Sequence, residues 1–297
     1  EVALAMGLQV AMARIGTAVA LACSLPMARA MHSVSYPVLF GALCLCVGLV
    51  ANMVYSDMDK KLDQSVEAVS EEKEEGFQLK DLKLIFTNKG FWLITLLCLM
   101  FYAGVFPFLK FATKLMIAKY HVEPEMAGLI PAMLPFGTIL LTPVFGTLYD
   151  RIGKGATLML IGSVMLTIVH LLFALPILPT WWFAIVIMVV LGIAFSLVPS
   201  ALWPSVPKII PMKQLGSAYA TIFYIQNIGL SMVPVLIGWV IETYSTHVDG
   251  AGVVTYDYTI PMLIFATFGI VAIFISLWLK REDARSHYGL EDPNMKK

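Results

Sequence analysis

Charge is what this chain has least of. Only 13% of its 297 residues are Asp, Glu, Lys or Arg, about half the share of an ordinary soluble domain. The formal net charge is zero, and no basic tract carries interleaved aromatics, so a nucleic-acid surface has no support. Cysteine is scarce as well. Cys23, Cys44, Cys46 and Cys98 all lie within apolar stretches, which is neither a disulfide framework nor metal-ligand spacing and reads as buried small hydrophobes. The five histidines, His32, His121, His170, His247 and His287, are scattered. Without a nucleophile–base pair or a metal set, enzyme chemistry lacks its constellation, and no cofactor or metal is expected.

What is abundant is hydrophobic length. Eight long apolar stretches, at 2–25, 36–55, 91–109, 126–148, 156–178, 181–201, 215–241 and 259–279, hold almost no charge between them. A helix needs about 20 apolar residues to cross a bilayer core. The chain therefore reads as an all-α polytopic membrane protein. Its first stretch lacks a basic leader and a convincing cleavage site, so it reads as a span and not as a signal peptide.

One gap is long and polar, 57–90, and reads as a solvated amphipathic helix plus linker. With that linker on the cytoplasmic side, alternate gaps fall together and most Lys and Arg lie there. Only Arg29, Lys110, Lys114 and Lys119 fall opposite. Both chain ends are then expected in the cytoplasm. Two spans, a linker and six spans match the last two-thirds of a twelve-span protein, so the chain reads as starting partway through a longer one. The expected parts are 1–56, the last two helices of an N-terminal six-helix half; 57–90, the linker; 91–280, a C-terminal six-helix half; and 281–297, a tail.

Polar groups within the stretches are few enough to weigh singly. Arg14 is the only charge deep in a span. A central arginine costs about 2.5–3.5 kcal/mol on insertion scales, so it should face a polar cavity, where its fork fits a carboxylate or phosphate. A structural ion pair or snorkelling to the span's end would also account for it. Trp203, followed by Pro204, closes the sixth stretch. The proline frees a carbonyl and bends the helix, which can turn the indole into a cavity, although an interfacial belt gives the same residue. Gln226 and Asn227 sit mid-span near Tyr219 and Tyr224, and either bond another helix or line a pathway. Tyr102, with Phe106 and Phe108, forms either a cavity wall or aromatic packing. His170 reads as an interhelical hydrogen-bonding histidine sooner than a proton relay.

The strongest local pattern is GTLYDRIGK, from Gly146 to Lys154, between the fourth and fifth stretches. Gly146 permits close helix approach, and Asp150 can accept free amides at a helix N-terminus. Arg151 and Lys154 can pair with acids on a neighbouring helix end, with Gly153 at the turn. This pattern resembles the signature loop of the major facilitator superfamily. Tyr149 stands where that family usually has a small residue, and Gly155 replaces a second base, two departures expected to loosen the latch.

The runs MARIG (from Met12), VFPF (from Val105), ALWP (from Ala201), GSAY (from Gly216) and IQNIGL (from Ile225) narrow the likeness. Together they are similar to the domain-containing protein 1 branch of that superfamily, the lysosomal dipeptide transporters and their prokaryotic relatives. The resemblance implies the major facilitator fold, in part, and carriage of dipeptides or similar zwitterions by rocker-switch uniport. It implies that Arg14 holds the peptide carboxylate and Trp203 shapes a side-chain pocket, with Gln226, Asn227, Tyr102 and Tyr219 as further binding candidates. The acid for the peptide's amino group would belong to a span preceding Glu1. Around Lys110 the sequence departs from the family's small, glycine-rich pattern. An organic-anion or drug exporter, or a non-transporting scaffold, stays open. The expected partners are a small solute and the bilayer, with an accessory membrane subunit left open. The expected location is a bacterial inner or plasma membrane, with the lysosomal membrane as the alternative.

Overall fold

The computed structural model describes residues 2–67, 83, 85–248 and 254–294. Eight long helices follow in chain order: α1 (Val2–Ala30), α2 (Ser35–Glu67), α3 (Lys89–Tyr120), α4 (Leu129–Ile152), α5 (Gly155–Ala174), α6 (Trp181–Ile209), α7 (Leu215–Val240) and α8 (Thr259–Ser286). All eight carry a segment long and apolar enough to cross a membrane. Two compact units divide the chain: Glu1–Ala18 with Leu79–Lys297, and Val19–Gln78. The second unit contains the later part of α1 and all of α2, and its three cysteines, Cys23, Cys44 and Cys46, are exposed. They are not the buried small hydrophobes that composition suggested. Of the long polar gap, α2 covers the beginning as far as Glu67, while 68–82 and 84 lie outside the described residues.

Several helices run well past their apolar stretches. Helix α3 continues to Tyr120, placing Lys110, Lys114 and Lys119 on helix instead of in a connection. Hydropathy marks the length that can face oil, whereas hydrogen bonds and caps set where a helix stops. The α3 start is capped by Asn88, whose Oδ1 accepts the Phe91 amide at 3.1 Å. Its end is His121 in the left-handed region, with its amide on the Met116 carbonyl. Lys119 closes the far end of α5 by donating to the Phe173 and Leu175 carbonyls, a cation at a helix C-terminus.

In the larger unit α3 is central and packs on α6, α7 and α8. Helix α4 pairs with α6, and α5 lies against α6 and α8. The core is aromatic, with Phe91, Phe101, Phe108, Phe173, Phe195 and Phe265 fully buried. Three hydroxyls within it are satisfied locally, as oil favours: those of Ser196, Ser200 and Ser205 each donate to a carbonyl four residues back. Past α7, a π-helical turn (Ile241–Ser245) leads into a two-stranded antiparallel hairpin, β1 (Thr246–Val248) and β2 (Val254–Tyr256). No alternation of residue types announces this hairpin.

Candidate functional site

A cavity of about 470 Å³ opens where the first part of α1 meets α3, α6 and α7. Each helix contributes one face. Helix α1 supplies Gln9, Ala13 and Arg14; α3 supplies Tyr102 and Phe106, one turn apart. Trp203 comes from α6, and Tyr219, Phe223, Gln226 and Leu230 come from α7. The α7 spacing of four, three and four keeps one helical face toward the cavity.

Arg14 is half-buried. Its guanidinium carbon lies 4.8 Å from the Phe106 ring centre and 5.0 Å from that of Phe195. Cation–π contact of this kind contributes about 0.5–2 kcal/mol each. The two rings are set edge-to-face, at 5.3 Å and 86°. Nε of Arg14 is buried with no hydrogen-bond partner, and among the described residues no carboxylate pairs with the guanidinium. The cation is therefore held by aromatic faces, with its donors uncommitted.

The rest of the wall is tied together around Trp203, which is 7% exposed. Its indole N–H donates to the Tyr102 hydroxyl at 3.0 Å, and its ring stacks on Phe223 at 4.7 Å. Trp203 is thus an interior residue of α6, which continues to Ile209, and not a belt aromatic at a span's end. The Tyr219 hydroxyl donates to the Trp203 carbonyl at 3.1 Å. That carbonyl lacks its helical donor because the residue four positions on is Pro207. The proline that matters for this contact is Pro207, where the sequence had drawn attention to Pro204.

Gln226, a lining residue, accepts the Cys98 thiol at 3.3 Å through Oε1, which leaves the hydrogens of its side-chain NH₂ uncommitted by that bond. Tyr102, already accepting from Trp203, keeps its own proton to donate. Five of the six residues singled out from sequence, Arg14, Tyr102, Trp203, Tyr219 and Gln226, share this cavity. Asn227 does not: it is exposed and its side-chain NH₂ donates to the Phe223 carbonyl at 2.8 Å. Phe195, Phe223, Gln9 and Leu230 were missed. The four-three-four spacing on α7 is a signal that finds Phe223 and Leu230 and leaves Asn227 off the face.

His170 lies elsewhere, fully buried between Phe108 and Phe265. Its Nε2 is 2.9 Å from the Gly104 carbonyl, so that nitrogen carries the hydrogen, while Nδ1 has no partner. It is an interhelical histidine, satisfied on one side only.

The GTLYDRIGK loop joins α4 to α5 and is covered by the segment after α8. Gly146 is buried in α4. Asp150, 1% exposed, accepts the Asn294 side-chain NH₂ at 2.7 Å. Among the free amides of α5, that of Thr157 donates to Glu291 Oε1 at 2.9 Å. Lys154, in the left-handed region, donates its amide to the Glu291 carbonyl, and Gly155 donates to that of Leu290. Arg151 and Lys154 are exposed. Lys208 adds two bonds, to the Gly289 and Asp292 carbonyls, at 2.9 and 2.8 Å.

The family model described as Major Facilitator Superfamily matches residues 108–293. The chain belongs to the major facilitator superfamily. It is a multi-pass, all-α membrane protein with that fold. Among curated proteins it is similar to the lysosomal dipeptide transporter MFSD1 of Gallus gallus, 29% identical over 82% of this chain and 56% of the relative. The proteins of the same name from Bos taurus and Homo sapiens are each 27% identical, over 82% of this chain and 53% of their own length. The chain thus spans about half the length of the curated relatives it matches.

Against the superfamily's signature loop, the two departures are complementary. A Cβ on Gly155 would meet Tyr149 Cε2 at 2.9 Å, the Leu290 carbonyl oxygen at 2.9 Å and Ser205 Oγ at 3.1 Å. Tyr149 is fully buried and its hydroxyl lies 3.3 Å from Ser205 Oγ. The large ring fills the space that the missing side chain leaves. Ring and glycine thus pack in direct contact at this corner.

Proposed function

We propose that this chain belongs to a secondary transporter that carries small peptides or similar zwitterions, with Arg14 binding the solute's carboxylate. The carrying observation is a guanidinium facing a cavity with no acidic partner among the described residues. Its neighbours Tyr102 and Gln226 have donors to spare, which suits an anionic group. Trp203 and Phe223 offer an apolar wall for a side chain. The relatives named as dipeptide transporters support the same solute class. Rocking of two helical halves around the cavity would expose it to each side in turn. His170, sealed among aromatic rings away from the cavity, favours passage without a proton relay through it.

A second reading, an organic-anion carrier, is favoured by one observation: no carboxylate lines the cavity among the described residues. One experiment separates the two. In the full-length protein, a dipeptide is expected to raise the thermal midpoint, and Arg14→Ala to abolish that rise. N-acetylation of the dipeptide keeps the carboxylate but removes the ammonium, and is expected to cost most of the effect. Unchanged stabilisation of Arg14→Ala would remove Arg14 from the site. Equal stabilisation by the acetylated peptide would favour the anion reading.

A further inference from the structure

The outward face of α8 is apolar along its length and ends in two cations. Phe274, Leu277 and Trp278 are 66%, 48% and 61% exposed in their unit, as expected of a surface turned to acyl chains. One turn past Trp278 comes Arg281, and one turn further Arg285. Leu277, Trp278, Arg281, Glu282 and Arg285 line a groove of about 580 Å³.

Neither guanidinium has an ion pair or hydrogen bond among the described residues. Glu282, the acid in the groove, accepts the Ser286 hydroxyl at 3.1 Å. The helix end does not use the arginines either, since the His287 amide closes it on the Asp283 carbonyl at 2.8 Å. Asp283 faces inward, buried, and accepts the Leu290 amide at 3.0 Å. The groove therefore carries one net positive charge, at the depth where an indole ring prefers the boundary between acyl chains and headgroups.

We propose that this groove is a binding site for an anionic phospholipid, its phosphate held by Arg281 and Arg285 and its acyl chain lying along Leu277 and Phe274. Arginine forks match phosphate oxygens in bidentate geometry. Basic residues at a membrane surface attract anionic lipid, and two adjacent guanidinium groups reinforce one another.

The test compares the full-length protein in phosphatidylcholine nanodiscs with and without phosphatidylglycerol. Wild type is expected to show a higher thermal midpoint with phosphatidylglycerol. Arg281→Gln with Arg285→Gln is expected to lose that increment and keep the phosphatidylcholine value. Inorganic phosphate added to pure phosphatidylcholine discs is expected to give no increment. Should the glutamine pair fail to insert, Arg281→Lys with Arg285→Lys keeps the charge but not the fork, and is expected to retain fewer phosphatidylglycerol molecules by native mass spectrometry. An unaltered phosphatidylglycerol increment or retention in the variants would overturn the proposal, as would an equal increment from free phosphate.

Discussion

Gly153 shows how much one backbone position can decide. Its φ is +67° and its ψ −129°, a region that side-chain-bearing residues avoid. A Cβ there would collide with the Asp292 carbonyl carbon. Gly153→Ala is therefore expected to cost about 1–3 kcal/mol, read as a lower thermal midpoint, while Gly137→Ala, with open space around it, serves as the neutral comparison. Arg14 was legible because a charge inside an apolar stretch has few ways to exist. Phe195 was not: one phenylalanine on an apolar helix looks the same whether it faces lipid, core or a cation. Gln226 and Asn227, adjacent in sequence, could be separated only by helical phase.

At the scale of elements, the helices were legible and the strap that ties them was not. Residues Tyr288 to Asn294 carry no periodic pattern, so nothing in their order announces that they cross the base of four helices. Yet this segment binds the starts of α3 and α5 and the ends of α4 and α6. Tyr288 reaches Asn88, Glu291 reaches Thr157, Asn294 reaches Asp150, and Lys208 reaches back to Gly289 and Asp292. Deleting the chain from Tyr288 onward removes the acceptors of the Lys154, Gly155 and Thr157 amides. Hydrogen exchange at those three amides is expected to accelerate, with mid-helix α7 amides unchanged as the internal control. Unchanged exchange at Lys154 and Gly155 would show that the strap does not secure the loop.

For the whole molecule, the six helices of the larger unit alternate in direction. One end gathers Asn88, the α4–α5 loop, the α6–α7 link and the strap; the other gathers His121, Leu175 and Asp257. The positive-inside rule leads us to propose that the strap end is cytoplasmic. With Cys23, Cys44 and Cys46 first replaced, Glu282→Cys and Asp57→Cys are expected to react alike toward an impermeant thiol reagent in intact cells, and Met126→Cys oppositely. Opposite reactivity of Glu282→Cys and Asp57→Cys would break the even count of spans. Hydropathy carried this level because membrane crossing demands length and apolarity before anything else. The hairpin β1–β2 escaped it, being too short for an alternation to register. The fit of Tyr149 against Gly155 has a consequence for how this lineage can drift. A base restored at 155 would strike the aromatic ring, and a small residue at 149 alone would leave a void beneath the strap. Because a side chain at 155 would also meet the Leu290 carbonyl oxygen, the strap as well as the ring holds that position to glycine.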